Sequence, residues 1–163
     1  MTVLVAAASR HGATFEIADA IGRALDERGL DVQVACADDV DAVGGYDAVV
    51  LGSGVYAGHW LEPARRLVLD HRDELLRVPT WLFSSGPIGA PPRPDDAHAV
   101  DVDELMTAAA ARGHRVFAGR LDRDQLGFGE RAMVFAFRAP DGDYRNWDAI
   151  SAWAGEIADE LQA

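Results

Sequence analysis

Five short strand-like runs alternate with segments of helical period along most of this chain, and that alternation leaves few folds open. The runs cover 3–8, 31–35, 48–52, 80–84 and 115–118. The first is apolar throughout, which suits a central strand buried on both faces of a parallel sheet. Between the runs, apolar residues recur at helical spacing. In 12–28, Ala18, Ile21, Ala24 and Leu25 share one side, with Glu16, Asp19, Arg23 and Glu27 opposite. Further helices are expected over 62–77, opened by Pro63 in its first turn, over 102–112, stopped by Gly113, and over 146–162. The segment 37–43 is a short, acidic candidate helix. Strands alternating with helices imply a parallel, doubly wound sheet with right-handed crossovers. At 163 residues the chain makes one domain, 1–163, with one sizeable core.

Composition removes several function classes. The formal net charge of −12 opposes nucleic-acid and anionic-lipid binding, which rely on neutralising phosphates. One stretch differs: from Arg112 to Arg138 six arginines face three acids, which marks either a docking face or a solvated surface. The single cysteine, Cys36, excludes an intramolecular disulfide and any CxxC couple and reads as a small residue after a strand. His11, His59, His71, His98 and His114 form neither HExxH nor HxxxH, so no metal site is expected. There is no GxSxG elbow. A phospho-receiver site would need acids where Ser9 and Ser53 stand, and a lysine; all 15 basic residues are arginine. No signal-peptide pattern is present, and the longest uncharged stretch, 78–92, is broken by four prolines. A cytoplasmic protein is therefore expected.

In an open parallel sheet, ligands bind beyond the carboxyl ends of the strands. Three loops lie there: Ser9, Arg10, His11, Gly12, Ala13 and Thr14 after the first strand; Ser53, Gly54, Val55, Tyr56, Ala57, Gly58, His59 and Trp60 after the third; Ser84, Ser85, Gly86, Pro87, Ile88 and Gly89 after the fourth. The first passes straight into a helix, whose unpaired amides favour an anion. With one glycine it is not the GxGxxG turn, and without lysine it is not a Walker loop. Its hydroxyls suit a single terminal phosphate held by neutral donors; an ordinary N-capped helix is the alternative. Gly54 and Gly58 would let backbone approach a flat ligand, and Tyr56 or Trp60 would stack on it. His59 is either a donor to such a ligand or a plain loop histidine.

Other features are less specific. The segment 119–144 is longer than a usual connection and carries Phe128, Met133, Phe135 and Phe137; it either covers a substrate or packs on the sheet edge. The acidic run Asp95, Asp96, Asp101, Asp103, Glu104 reads as a solvated helix start. Trp147 and Trp153 read as core and edge packing rather than ligand contacts.

Together the three loops resemble the flavodoxin superfamily. Its phosphate loop, hydroxyl-x-hydroxyl-Gly-x-Thr, stands here as Ser9-Arg10-His11-Gly12-Ala13-Thr14, with His11 in place of a hydroxyl. GSGVYAGHW (52–60), WLFSSGP (81–87), NWDAISAWAGEIA (146–158) and the long segment before the last helix resemble the flavodoxin-like menaquinone-dependent protoporphyrinogen oxidase group. The resemblance implies a flavodoxin-like doubly wound five-stranded parallel sheet, order 2-1-3-4-5, with an insertion between strand 5 and the last helix. It implies FMN as cofactor, its phosphate on the first loop and its ring between the other two. It implies an oxidoreductase acting between a planar substrate such as protoporphyrinogen and a quinone; the alternatives are an electron carrier serving redox proteins and a module without flavin. Docking on a membrane through 119–144 would be peripheral.

Overall fold

The computed structural model describes residues 1–56, 58–86, 101–121, 142–143 and 145–163. Its centre is five parallel strands: β1 (Thr2–Ala8), β2 (Asp31–Cys36), β3 (Ala48–Tyr56), β5 (Thr80–Ser85) and β6 (Gly113–Phe117), in the order β2-β1-β3-β5-β6. Counting parallel strands alone, this is the 2-1-3-4-5 order of the sequence expectation. The register sets Val3 beside Val32 and Ala48, Val50 beside Trp81, and Phe83 beside Arg115. A two-residue strand, β4 (His59–Trp60), folds back antiparallel on the end of β3. A separate pair, β7 (Arg120–Leu121) and β8 (Gly142–Asp143), joins the two ends of the insertion.

Period-2 alternation divides β1 between two cores. Val3, Val5 and Ala7 face α1 (Ala13–Glu27) and the last helix, α5 (Trp147–Gln162), through Ile17, Ile21, Leu25, Ile150, Trp153 and Ile157. Leu4, Ala6 and Ala8 face α2 (Glu62–Asp70), α3 (Arg72–Leu75) and α4 (Val102–Ala109) through Ala64, Leu67, Val68, Leu75 and Leu105. Phe83, Phe117 and Trp153 make a tilted and edge-on aromatic cluster on the first side, with ring centroids 5.6–6.2 Å apart. Trp147 stays 41% exposed, beneath the guanidinium of Arg145.

Where elements differ from the sequence expectation, local causes are visible. β3 runs four residues past Gly52. A Cβ on Gly52 would stand 2.1–2.3 Å from the Phe83 ring, so glycine there is a packing requirement inside the strand rather than a turn. The helix expected over 62–77 divides at His71, whose backbone leaves helical geometry (φ −117°, ψ 25°). The helix expected over 102–112 stops at Ala109, because Ala110 turns left-handed at φ 47° and Ala111 N–H closes on the Met106 carbonyl at 3.0 Å. β6 therefore starts at Gly113, two residues before its apolar run. Only Ala37–Asp39 of the acidic segment is helical, as one 3-10 turn. Cys36 ends β2, exposed and unbridged. The expectations for Pro91, Pro92, Asp95, Asp96 and 122–141, Phe128 to Phe137 included, fall outside the described residues.

Candidate functional site

The first loop joins the end of β1 to the start of α1. Gly12 takes the N-cap position at φ 87°, ψ −15°, a region open to glycine and costly to side chains. Having no side chain, Gly12 closes no cap bond. Instead Ser9 Oγ accepts the Thr14 N–H at 3.2 Å. A Cβ built on Gly12 would meet nothing within 4 Å, so a side chain there would project into open space. Arg10, His11 and Gly12 are exposed, Ser9 and Ala13 half-buried, and Thr14 buried. Thr14 turns toward the second loop: its Oγ1 lies 3.2 Å from where a Cβ on Gly54 would stand. The absent side chain of Gly54 thus lets the first two loops touch. Arg10 also crosses between them, its guanidinium 4.4 Å from the centre of the Tyr56 ring.

The second loop is a strand end and a tight hairpin. Val55 pairs with Trp60 and Tyr56 with His59. Gly58 sits at φ 79°, a turn conformation that suits glycine. Val55, Tyr56 and Gly58 are half-buried and His59 is exposed, so this end of the hairpin forms the rim. Trp60 is 3% exposed and lies in the core beside Ala64 and Leu67, which leaves Tyr56 as the loop's accessible aromatic. Ser53, wholly buried, accepts the Leu61 N–H at 2.9 Å and donates to the Gly54 carbonyl at 2.8 Å. In the third loop Ser84 is also wholly buried, bonded to Trp60 Nε1 at 2.8 Å and His114 Nε2 at 2.7 Å. Ser85 and Gly86 are buried against the end of β6, the Gly86 N–H donating to the Phe117 carbonyl at 2.8 Å. Ala57, Pro87, Ile88 and Gly89 lie outside the described residues.

Two clusters around these loops have no periodic signature in the sequence. Asp101, read there as a solvated helix start, is 7% exposed; it accepts the Trp60 N–H at 3.3 Å and faces Arg65 Nε at 3.0 Å. At the stem of the insertion, the Arg145 side chain is 4% exposed. It grips Asp143 through two bonds of 2.8 and 2.6 Å, pairs with Glu16, and donates to the Ala13 carbonyl at 3.3 Å. Arg120 approaches the same Glu16 at 3.7 Å and the His11 carbonyl at 3.5 Å. The insertion's base is therefore fastened to the first loop. Hydrogen bonding from Arg145 holds the Asp143 carboxyl below the usual carboxylate range, and the same bond raises Arg145 above its ordinary value. The signal available for both clusters was unlike charge far apart in the chain, which no local pattern converts into contact.

Among the described residues no group of three His, Cys, Asp or Glu side chains is arranged to hold a metal ion. No helix among them is long and apolar enough to cross a membrane. Two grooves of about 170 and 390 Å³ flank α2 and α3, away from the three loops, and their linings are rich in charged side chains.

A doubly wound sheet with an amide-lined loop after its first strand, and two small-residue loops beside it, defines a mononucleotide-binding α/β protein. The chain belongs to the flavodoxin domain family, whose model matches residues 4–147. It is 24% identical over 172 residues to the protoporphyrinogen IX dehydrogenase [quinone] of Escherichia coli (strain K12), covering 97% of this chain and 95% of that one. A flavodoxin from the domain Archaea matches over the full length of both chains at 18% identity, with a TM-score of 0.65. A Fusobacterium nucleatum flavodoxin mutant bound to flavin mononucleotide matches 71% of this chain and 66% of its own at 15% identity, with a TM-score of 0.54. FMN is the cofactor of this family.

Proposed function

We propose that this chain is an FMN-dependent oxidoreductase that passes reducing equivalents between a planar organic substrate, of the protoporphyrinogen type, and a quinone. The observation that carries the reading is the first loop: a left-handed Gly12 with open space where a side chain would project, at the amide end of a 15-residue helix beside the central strand. That cradle fits a phosphate, which backbone N–H groups and the helix dipole both favour. Ser9, Arg10, His11, Gly12, Ala13 and Thr14 would hold it. The ring would lie between the rim formed by Gly54, Val55, Tyr56, Gly58 and His59 and the turn after Ser85, with Tyr56 offering a face for stacking. Ser53, Trp60 and Ser84 would support this rim from beneath.

FMN, when bound, supplies the acceptance and release of the electron pair, so the protein needs no dedicated base to begin the reaction. What the chain contributes is placement. Gly54 keeps the two loops close, and the small residues of the third loop leave room beside the strand ends. The insertion would cover the substrate from a stem anchored on the first loop by Arg145 and Arg120. The full-length likeness to a quinone-linked dehydrogenase supports the enzymatic form. A carrier that only exchanges electrons with redox proteins is the second reading, favoured by the flavodoxins among the matching structures. Anaerobic reduction of the FMN-loaded protein, followed by addition of quinones and then of porphyrinogens, separates the two. Catalytic turnover of a porphyrinogen with a quinone supports the enzyme; reoxidation by redox proteins alone supports the carrier.

A further inference from the structure

We propose that Trp60 is a positioning residue for the ring side of the flavin site: a chain of hydrogen bonds through Trp60, Ser84 and His114 fixes Tyr56, Gly58 and His59 of the hairpin against the sheet. The inference rests on the flavin reading above. The hairpin has little of its own to hold it. β3 and β4 share two residue pairs, Val55 with Trp60 and Tyr56 with His59, and an isolated ribbon of that length does not persist in water. Its position must come from what Trp60 is tied to.

Each polar group of Trp60 that points into the protein is taken. Its backbone N–H donates to Asp101 Oδ1 at 3.3 Å, and its indole Nε1–H donates to Ser84 Oγ at 2.8 Å. An indole nitrogen only donates, so Ser84 Oγ must accept from it. The same Ser84 Oγ is hydrogen-bonded to His114 Nε2, 2.7 Å away, with the direction of that bond set by the imidazole tautomer. The chain links β4 through β5 to β6, and Asp101 ties its β4 end to α4. Trp60 and Ser84 are 3% and 0% exposed, so deleting the Ser84 hydroxyl leaves the buried Trp60 Nε1–H without its partner. The next residue is secured as well, since Leu61 N–H donates to Ser53 Oγ. Ser53 and Ser84, which the loop pattern offers as ligand contacts, thus face inward and set where Tyr56 and His59 stand. A flat ring resting on that rim would sense the network as affinity, although none of its links touches the ring.

The test uses the full chain and two ligands, FMN and riboflavin, with dissociation constants from flavin fluorescence and the visible circular dichroism of the bound ring. Trp60→Phe keeps an aromatic ring in the core and deletes the N–H. Ser84→Ala deletes the hydroxyl, and Ser84→Thr restores one. Trp60→Phe and Ser84→Ala are expected to weaken FMN and riboflavin alike by about tenfold and to change the visible spectrum, with Ser84→Thr recovering most of the loss. Equal loss for both ligands assigns the effect to the ring side, because riboflavin has no phosphate. Folded Trp60→Phe and Ser84→Ala proteins that bind both ligands within about twofold of wild type, with unchanged visible spectra, overturn the proposal and make Trp60 a packing residue only. Should Trp60→Phe fail to fold, Ser84→Ala decides by the same criterion. A wild-type chain that binds neither ligand removes the flavin reading itself.

Discussion

Gly12→Val separates the phosphate loop from the rest of the site. Gly12 stands at φ 87°, and a valine there would carry a left-handed strain of about 1–2 kcal/mol. For a chain of this size that corresponds to a fall in Tm of about 2–8 °C, which the sheet should survive. The Cβ would meet no protein atom within 4 Å, so the side chain would start into open space beside the loop instead of into the core. Losing two charge-assisted hydrogen bonds to a phosphate, at about 1.5–3 kcal/mol each, weakens FMN by at least about a hundredfold. Riboflavin, which lacks the phosphate, should bind as it does to wild type. Fluorescence titration of both ligands, with Tm from circular dichroism, reads all three quantities. A folded Gly12→Val protein with wild-type FMN affinity would refute the assignment of the loop. Equal loss of FMN and riboflavin would show that the substitution had disturbed the ring side and that the loop reasoning was misplaced.

Three further outcomes follow from the geometry. Gly52→Ala would drive a Cβ to within 2.3 Å of the Phe83 ring and should cost about 1–3 kcal/mol in chemical unfolding; Phe83→Leu should recover part of that cost in a double-mutant cycle, and additive effects would contradict the contact. Ala110→Gly should stabilise by about 0.5–1 kcal/mol, since Ala110 is held at φ 47° at the end of α4; a neutral or destabilised variant would count against that cap. Asp143 is depressed by its bonds from Arg145, so its contribution is complete above the usual carboxylate range and is lost as pH falls through the lowered folded value. The Tm gap between wild type and Asp143→Asn should therefore be present near about pH 6 and shrink toward about pH 3; a gap that widens on acidification would reverse the sign of the argument.

Much of this architecture was legible because it is written in local pattern. The wholly apolar run 3–8 could only be a strand covered on both faces, and the helix periods on either side fixed the winding. The errors came where glycine or serine was read as punctuation. Ser53 and Gly54, read as loop, belong to β3, where Gly52 makes room for Phe83 and Gly54 for Thr14. The end of α4 was read three residues late because Ala110, an excellent helix former, is held left-handed by its neighbours' hydrogen bonds. At the candidate site, the sequence put the three loops at the ends of their strands but could not say which side chains face outward. Strand alternation turns Ser53, Ser84 and Trp60 inward and leaves Tyr56 and His59 on the rim. Asp101 with Arg65, and Glu16 with Asp143 and Arg145, meet only after the chain has folded, so no spacing rule announced them.

Calorimetric titration of the flavin-free wild-type chain with FMN and with riboflavin tests the central claim most directly. The account predicts one FMN bound per chain, at least about tenfold more tightly than riboflavin, the difference reporting the phosphate held by residues 9–14. No binding of FMN, or FMN bound no better than riboflavin, would contradict it.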